Sequence, residues 1–246
     1  MSAPAGRAVL VTGGTRGIGL AIVRRLAAAG WRVAASYRHD AAAADALGRE
    51  LGEAGVTAAV LRADVTDPHA ARALAEEAAR RLGGLDALVN NAGIVDDGAF
   101  VTLEAERYLN VLRTNLLGAI RVTGAALPHL LRGRAPAVVN LASLGGVAGK
   151  EGQVAYAASK GGLIGFTHWL ARRYAAEGLT ANAVAPGFID TEMIAGLTPA
   201  MTAHIVGGSA ARRVGQADEV ARAVAFLLEP GYLHGTTLRL DGGFNR

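Results

Sequence analysis

The sequence predicts an α/β fold, with one doubly wound parallel sheet of seven strands and helices on both of its faces. Short runs of Val, Leu and Ala alternate with helical segments from one end of the chain to the other, which is typical of a parallel sheet covered on both sides. The length of 246 residues suits one such domain with a substantial core. No linker or internal repeat interrupts the pattern, so we expect a single domain over residues 1–246.

Seven apolar runs are strand candidates, and they occupy residues 8–11, 31–36, 57–61, 85–90, 137–142, 180–185 and 236–240. Between several of them apolar side chains recur at helical spacing, as in Ile18, Ile22 and Leu26, and these faces are core. Residues 41–53 are rich in alanine and carry few large apolar side chains. A helix there is predicted from propensity.

Composition excludes several classes of function. The 25 basic and 21 acidic residues give a net charge of +4, and without a long basic run this argues against nucleic acid. The chain has no cysteine, and its six histidines lack ligand spacing, so we expect no metal. Residues 1–6 lack a signal pattern and no apolar run reaches membrane length, so we predict a cytoplasmic protein that does not bind membranes.

A glycine-rich turn, residues 12–19, directly follows the first strand candidate. Gly13, Gly17 and Gly19 open the next helix, so backbone N–H groups and the positive end of the helix dipole would face a diphosphate. Glycine also serves any tight turn, and this chain has 33 of them. The position between strand and helix favours a dinucleotide site.

The end of the second strand distinguishes between dinucleotides. An acidic residue there binds a free 2′-hydroxyl, whereas an arginine accommodates a 2′-phosphate. The chain has the small residue Ser36 at the strand end and Arg38 just beyond it, and Arg16 in the glycine turn could add a second charge. NADP(H) is favoured. The alternative is that both arginines are ordinary surface residues and that Asp40 serves NAD.

Tyr156 and Lys160 are separated by four positions, with Ser143 thirteen positions before the tyrosine. On one helix this spacing places the two side chains on the same face, about 5–6 Å apart at Cβ. A neighbouring ammonium favours the ionised phenol. We therefore expect Lys160 to lower the pKa of Tyr156 and to make it a general acid or base.

The order of the glycine turn, Asn-Asn-Ala-Gly at 90–93, Asn115, Ser143, Tyr156, Lys160 and Pro-Gly at 186–187 resembles the short-chain dehydrogenase/reductase family over essentially the whole chain. Residues 156–193 and 235–243 look most like the 3-oxoacyl-acyl-carrier-protein reductases of that family. The resemblance implies a Rossmann fold, an NADP-dependent oxidoreductase and a homotetramer.

The resemblance also implies catalytic roles. Tyr156 would give its proton to the substrate carbonyl oxygen while hydride leaves the nicotinamide, and Ser143 would hydrogen-bond the same oxygen. Lys160 would hold the nicotinamide ribose, and Asn115 would position a water that connects Lys160 to solvent. Taken singly, each has an ordinary alternative: a loop hydroxyl for Ser143, a kinked helix for Asn115, a half-buried aromatic for Tyr156.

Further residues would contact the cofactor. Asp64 and Val65 would contact the adenine, residues 91–93 would shape the adenosine side, and Thr191 would meet the nicotinamide carboxamide. The complete implied set is Gly13, Thr15, Arg16, Gly17, Ile18, Gly19, Arg38, Asp64, Val65, Asn91, Ala92, Gly93, Tyr156, Lys160, Pro186, Gly187, Ile189 and Thr191.

Residues 188–213 lose clear periodicity, and the family resemblance implies a substrate lid there. Their apolar members would form an adaptable wall, namely Met193, Ile194, Leu197, Met201, Ile205 and Val206; packing between subunits or within the lid would account for them equally well. The expected substrate is a 3-oxoacyl thioester. The alternatives are another ketone or alcohol, such as a polyketide, sugar or cyclic ketone, or a module that senses NADP(H) without turnover.

The resemblance allows an acyl carrier protein as a possible partner, because Arg132, Arg134, Arg172 and Arg173 fall where related reductases present basic residues to it. A solvated face is the favoured alternative. The chain departs from those reductases in two places. Residues 94–102 lack the usual basic residues, which leaves the substrate open, and residues 228–234 are shorter, which bears on the subunit interface.

Overall fold

The computed structural model describes residues 6–192, 196 and 198–244. Its main sheet has seven parallel strands in the order β3-β2-β1-β4-β5-β6-β9, which confirms the predicted α/β, doubly wound fold. These strands are β1 (Ala8–Val11), β2 (Arg32–Tyr37), β3 (Ala58–Arg62), β4 (Ala87–Asn90), β5 (Ala137–Leu141), β6 (Thr180–Pro186) and β9 (Thr237–Leu240). A separate parallel pair joins β7 (Ile189–Asp190) to β8 (Gly215–Gln216).

Helices connect the strands. They are α1 (Gly17–Ala28), α2 (Ala41–Glu53), α3 (Pro68–Leu82), α4 (Ala105–Leu112), α5 (Gly118–Leu130), α6 (Leu144–Ala148), α7 (Val154–Tyr174), α8 (Pro199–Gly208) and α9 (Ala217–Leu228). A 3-10 turn covers Phe100–Thr102, and a π-helical turn, Arg113–Leu117, joins α4 to α5. Within the described residues, no helix is long and apolar enough to cross a bilayer.

Side chains of the sheet alternate between two buried layers. In β1, Val9 and Val11 pack with residues of α1, α2 and α9, whereas Ala8 and Leu10 pack with residues of α3, α5 and α7. All four are fully buried. Because both faces are covered, the strands read as continuous apolar runs instead of alternating ones.

The predicted strands all occur, with ends that differ by one or two residues. Helix α2 has the predicted bounds, and Asp40 explains where it starts: its carboxylate accepts a hydrogen bond from Ala43 N at 2.9 Å. An Asp at this position satisfies one of the free N–H groups of the first turn.

The region predicted as a lid is more regular than its sequence indicates. It contains β7 and α8, and the Thr198 hydroxyl caps α8 by accepting from Met201 N at 3.3 Å. Of the predicted wall residues, Ile205 is buried and Met201 is half exposed, while Met193, Ile194 and Leu197 lie outside the described residues.

The strand order reverses direction between β1 and β4, because β1 leads outward to β2 and β3, and β4 leads to β5, β6 and β9. In open parallel sheets, ligands bind at such a switch point, beyond the carboxyl ends of the strands. The glycine turn follows β1, and residues 91–93 follow β4, so both lie at this point.

Candidate active site

The glycine turn between β1 and α1 uses its glycines for two purposes. Gly13 and Gly17 have φ of 63° and 52°, a conformation that favours residues without a Cβ. Gly19 is needed for close approach, since a Cβ added there would lie 2.1 Å from Gly13 O and 2.5 Å from the Asn91 amide nitrogen. The turn therefore brings its backbone N–H groups against the start of α1, as a diphosphate site requires.

Thr12 and Asn91 hold the turn from the side of β4. The Thr12 hydroxyl accepts from the backbone N–H groups of Asn91 and Ala92 at 3.0 Å each. The Asn91 side-chain amide donates to the carbonyls of Thr12 and Gly13 at 2.9 Å each. Asn91 was expected to shape the cleft, and it does so by fixing the turn. Thr12 was missed, although its place directly before the glycines is visible in the sequence.

Arg38 lies where a 2′-phosphate reader was expected, and it pairs with Asp64: Arg38 Nε is 3.1 Å from Asp64 Oδ2. Burial would raise the pKa of Asp64, but hydrogen bonds from Thr66 and the charges of Arg38 and His39 outweigh it, and the pKa is lowered. Asp64, which was predicted to contact the adenine, therefore orients Arg38.

Ser36 is buried at the end of β2 and accepts from Gly13 N at 3.3 Å. It therefore supports the glycine turn instead of reading a ribose. With Asp40 used as the cap of α2, the acidic residue considered for an NAD site already has a backbone partner. Both observations favour Arg38 over Ser36 or Asp40 as the ligand-binding residue after β2.

Arg16 faces the segment after β7. Its guanidinium is 3.7 Å from a carboxylate oxygen of Glu192, and both side chains are largely exposed. A Cβ on Gly17 would lie 3.7 Å from Thr191 Cγ2. The glycine turn and the segment after β7 therefore approach each other across the cleft, which places Thr191 beside the turn.

Ser143 and Tyr156 come together after β5. Ser143 caps α6, its hydroxyl accepting from Gly145 N at 3.1 Å, and a Cβ on Gly145 would lie 3.6 Å from Ser143 Oγ and 3.9 Å from Tyr156 Cδ1. Burial raises the pKa of Tyr156, the Ser143 hydrogen bond opposes this, and the charge of Asp97 adds to the rise. The expectation of a lowered tyrosine pKa is wrong for this structure, because burial outweighs the other effects.

Lys160 lies one turn along α7 from Tyr156, as predicted, with its ammonium 5.6 Å from the centre of the tyrosine ring. It is 4% exposed, and burial lowers its pKa to about 8. Lys160 Nζ donates to Leu141 O at 2.6 Å, and among the described residues this is its one hydrogen-bond acceptor. An ammonium has three N–H groups, so two of them remain for acceptors other than Leu141 O.

Asn115 lies in the π-helical turn, whose irregularity points the side chain at the loop after β4. Its Oδ1 accepts from Ile94 N at 2.8 Å, and its Nδ2 donates to Ile94 O at 2.9 Å and to Ser159 Oγ at 3.1 Å. A Cβ on Gly93 would lie 3.3 Å from Asn115 Oδ1 and 3.6 Å from Lys160 Nζ. The kinked-helix alternative and the predicted location beside Lys160 therefore both apply.

The remaining predicted residues border the cleft mainly through their backbone. Thr15, Val65 and Ile189 have buried side chains, and Ile18 and Ala92 are partly buried against the core. Gly187 closes the end of β6, donating to Leu240 O at 2.9 Å, directly after Pro186. These positions are apolar or neutral, whereas Tyr156 and Lys160 come from α7.

A buried polar ladder beneath the site was not predicted. The Asn90 amide nitrogen donates to Asn140 Oδ1 at 2.8 Å and to Thr123 Oγ1 at 2.9 Å, and the Asn140 amide nitrogen donates to Thr167 Oγ1 at 2.8 Å. Asn90 and Asn140 are paired across β4 and β5. The ladder ties α5 and α7 to the sheet, and only asparagine inside an apolar strand could have indicated it.

The four arginines considered for carrier-protein docking lie at the other end of the sheet. Arg132 and Arg134 precede β5, and Arg134 N donates to Asp86 at the start of β4. Arg172 and Arg173 are in the last turn of α7, and Arg173 pairs with Glu177 at 3.0 Å. They are therefore not at the mouth of the cleft of their own subunit.

The fold and site define a class of protein, and comparisons with known proteins agree. A family model described as "Enoyl-(Acyl carrier protein) reductase" matches residues 13–245. The chain belongs to the short-chain dehydrogenase/reductase family and is an oxidoreductase with a Rossmann fold.

Particular relatives share one printed name, 3-oxoacyl-[acyl-carrier-protein] reductase FabG. The Escherichia coli K12 protein is 39% identical over 240 residues, covering 97% of each chain. The Haemophilus influenzae protein is 38% identical over 240 residues, covering 97% of this chain and 98% of its own. The Staphylococcus aureus N315 protein is 37% identical over 239 residues, covering 96% and 97%.

Proposed function

We propose that this protein is an NADPH-dependent ketoreductase that reduces the keto group of a 3-oxoacyl thioester bound to acyl carrier protein or coenzyme A. One observation carries the proposal: the Ser143 and Tyr156 side chains converge around Gly145 beside the buried Lys160, at the end of β5 next to the switch point. The names of the relatives support the choice of substrate.

The residues present fit a nicotinamide dinucleotide. The glycine turn offers backbone donors for the diphosphate, Arg38 lies at the end of β2 for a 2′-phosphate, and the two free N–H groups of Lys160 would hold the nicotinamide ribose hydroxyls. The other predicted cofactor residues complete the cleft. When bound, NADPH supplies the hydride for the carbonyl carbon.

The protein's own groups handle the proton and the charge. Tyr156 is the general acid, and its raised pKa keeps it protonated at neutral pH. The Ser143 hydroxyl hydrogen-bonds the same substrate oxygen and stabilises the developing charge. Lys160, which would be charged below about pH 8, draws the phenol toward ionisation as the proton leaves. Asn115 would position a water that returns a proton to Lys160.

We propose further that residues 1–246 form one domain, that residues 188–213 act as the substrate lid, and that the protein is cytoplasmic. A homotetramer is supported by two exposed apolar patches. One comprises Leu109, Leu117, Ile120 and Trp169 on the α4, α5 and α7 side; the other comprises Phe226, Tyr232 and Leu233 at and after α9. Two distinct patches suit the two kinds of two-fold contact in a tetramer, which light scattering would measure.

The function is tested by oxidation of NADPH and of NADH with acetoacetyl-CoA, a 3-oxoacyl carrier protein, free ketones and crotonyl-CoA. We expect turnover with the 3-oxo thioesters and a preference for NADPH. Crotonyl-CoA is included because the family model carries the name of an enoyl reductase. Turnover confined to crotonyl-CoA or to free ketones, or tight NADPH binding without turnover on any substrate, would refute the proposed reaction.

A further inference from the structure

Asp97, in the segment after β4, is joined to the helix that carries the acid. Gln153 Nε2 donates to Asp97 Oδ2 at 2.9 Å, and Gly98 N donates to Gly152 O at 2.9 Å. Gln153 is 9% exposed and precedes α7. These contacts attach the segment to the start of α7, one turn before Tyr156.

The side chains of Gln153, Ser143 and Tyr156 converge around Gly145. A Cβ added to Gly145 would lie 3.6 Å from Ser143 Oγ, 3.9 Å from Tyr156 Cδ1 and 4.0 Å from Gln153 Oε1. Because Gln153 gives its amide nitrogen to Asp97, its amide oxygen is the end that lies nearest Gly145.

A second acid, Asp96, is adjacent in sequence and differently placed. Arg107 from α4 forms an ion pair with the Asp96 carboxylate, and donates to the backbone carbonyl of Asp97 at 3.1 Å. The Asp97 carboxylate is thus bound to a neutral amide, and the Asp96 carboxylate to a guanidinium. Two neighbouring acids with the same formal charge therefore have different surroundings.

We propose that Asp97 is a positioning residue for Tyr156: it orients Gln153 and places a negative charge beside the start of α7, near the phenol. The charged groups around Tyr156 are Lys160 on α7, Asp97 after β4 and, through its bond to Asp97, Arg107 on α4; Lys150 and Glu151 are exposed in the loop before α7. Asp97 raises the pKa of Tyr156, as expected for a like charge near an acid. The proposal rests on the proposed function for its kinetic consequence.

The negative charge of Asp97 can be removed while its hydrogen bond with Gln153 is retained. Asp97→Asn retains an oxygen that accepts from Gln153, Asp97→Glu retains the charge, and Asp96→Asn is the matched control. Tyrosines labelled with ¹³C at Cζ report ionisation by NMR in the free protein, and Tyr156→Phe identifies the resonance of Tyr156 among the five tyrosines. In parallel, the alkaline limb of kcat/KM for acetoacetyl-CoA is measured with NADPH.

We expect Asp97→Asn to move the Tyr156 titration to lower pH by roughly 0.5, since Asp97 is exposed and its charge is partly screened. The alkaline limb, to which Lys160 with its pKa of about 8 also contributes, should move in the same direction by less. Asp97→Glu and Asp96→Asn should leave both near wild type. Equal shifts in the two asparagine variants, or no shift in Asp97→Asn, would overturn the proposal. If Asp97→Asn does not fold, Asp97→Ser gives the same measurement. A wild-type protein without turnover would refute the proposed function, while the NMR titration would still test Asp97.

Discussion

The two sides of the cleft differ in which groups form them and in how those groups are hydrogen-bonded. On the side of β1 and β2, the glycine turn is fixed by hydrogen bonds between protein groups, with Thr12, Ser36 and Asn91 as partners. On the side of β5 and α7, the working groups are side chains, of which Lys160 is buried and Ser143 and Tyr156 are half-buried. There the ammonium of Lys160 has a single backbone acceptor among the described residues, and the pKa of Tyr156 is raised.

The difference indicates which side depends on the ligand. The glycine turn is complete before anything binds, so damage to it should appear as lost stability and lost binding. Under the proposed function a ligand would use the remaining donors of Lys160, so damage to the acid/base side should appear in turnover and in pH dependence. The four predictions below test this contrast.

Tyr156→Phe should have the largest effect. It removes the proton donor and keeps the ring, so we expect kcat to fall about 100- to 10,000-fold while NADPH affinity changes little. Turnover assays and fluorescence titration of NADPH measure the two quantities. A similar loss in both would mean that Tyr156 acts by binding the cofactor, and unchanged turnover would refute its role as the acid.

Gly19→Ala tests the other side. The added Cβ would lie 2.1 Å from a carbonyl oxygen, so the turn must shift. We expect the free energy of unfolding to fall by roughly 3 kcal/mol, with a loss of NADPH binding. The control is Gly48→Ala on the exposed part of α2, where a Cβ meets nothing within 4 Å; it should be neutral or stabilising by up to about 1 kcal/mol. Chemical denaturation measures both, and equal effects would contradict the close-approach argument.

The fold and the main groups on both sides of the cleft could be predicted from the sequence. Strands that are buried on both faces give continuous apolar runs, and the glycines and the spacing of Tyr156 from Lys160 are local features. Helix α2 was predicted from alanine propensity alone, and the Asp40 cap that explains its start was found only in the structure. Local features such as the spacing of Tyr156 and Lys160 can be predicted, because the residues involved are only a few positions apart in the sequence.

Long-range burial and partner choice could not be predicted in the same way. The direction of the Tyr156 pKa depends on how much protein surrounds the phenol and on Asp97, which is distant in sequence. The same holds for Asn90 and Asn140, whose pairing depends on strand neighbours, and for Gln153. The helix α8 was missed because its apolar residues have little periodicity and its start depends on the cap of Thr198.

The stability of the ligand-free protein should rise with pH through the titration of Lys160. Its pKa is about 8 in the folded protein and near 10.4 when unfolded, so the penalty for burying its charge is fully present below about pH 8. It is relieved between there and about pH 10. Between about pH 7 and 9.5 wild type should gain about 2 kcal/mol from this group. The gain should be absent in Lys160→Met, so the difference between the two denaturation profiles isolates it, and parallel profiles would contradict it.

Arg38→Ala should have the smallest effect and the most selective one. We expect the Kd for NADPH to rise about tenfold to thirtyfold and the Kd for NADH to change by less than about twofold. Part of the loss should come from Asp64, whose carboxylate is left without its 3.1 Å partner and then repels the 2′-phosphate. The double variant Arg38→Ala/Asp64→Asn should therefore bind NADPH more tightly than Arg38→Ala alone.

Arg24→Ala is the matched control, since Arg24 forms a comparable exposed pair with Glu50 at 2.7 Å on the outside of α1 and should leave both affinities unchanged. Fluorescence titrations of the three variants measure the constants. Equal losses for NADPH and NADH in Arg38→Ala would mean that the arginine supports the cleft without reading the phosphate. Because the carboxylate that orients Arg38 would also oppose the ligand, the two residues together set the preference, and neither one alone does.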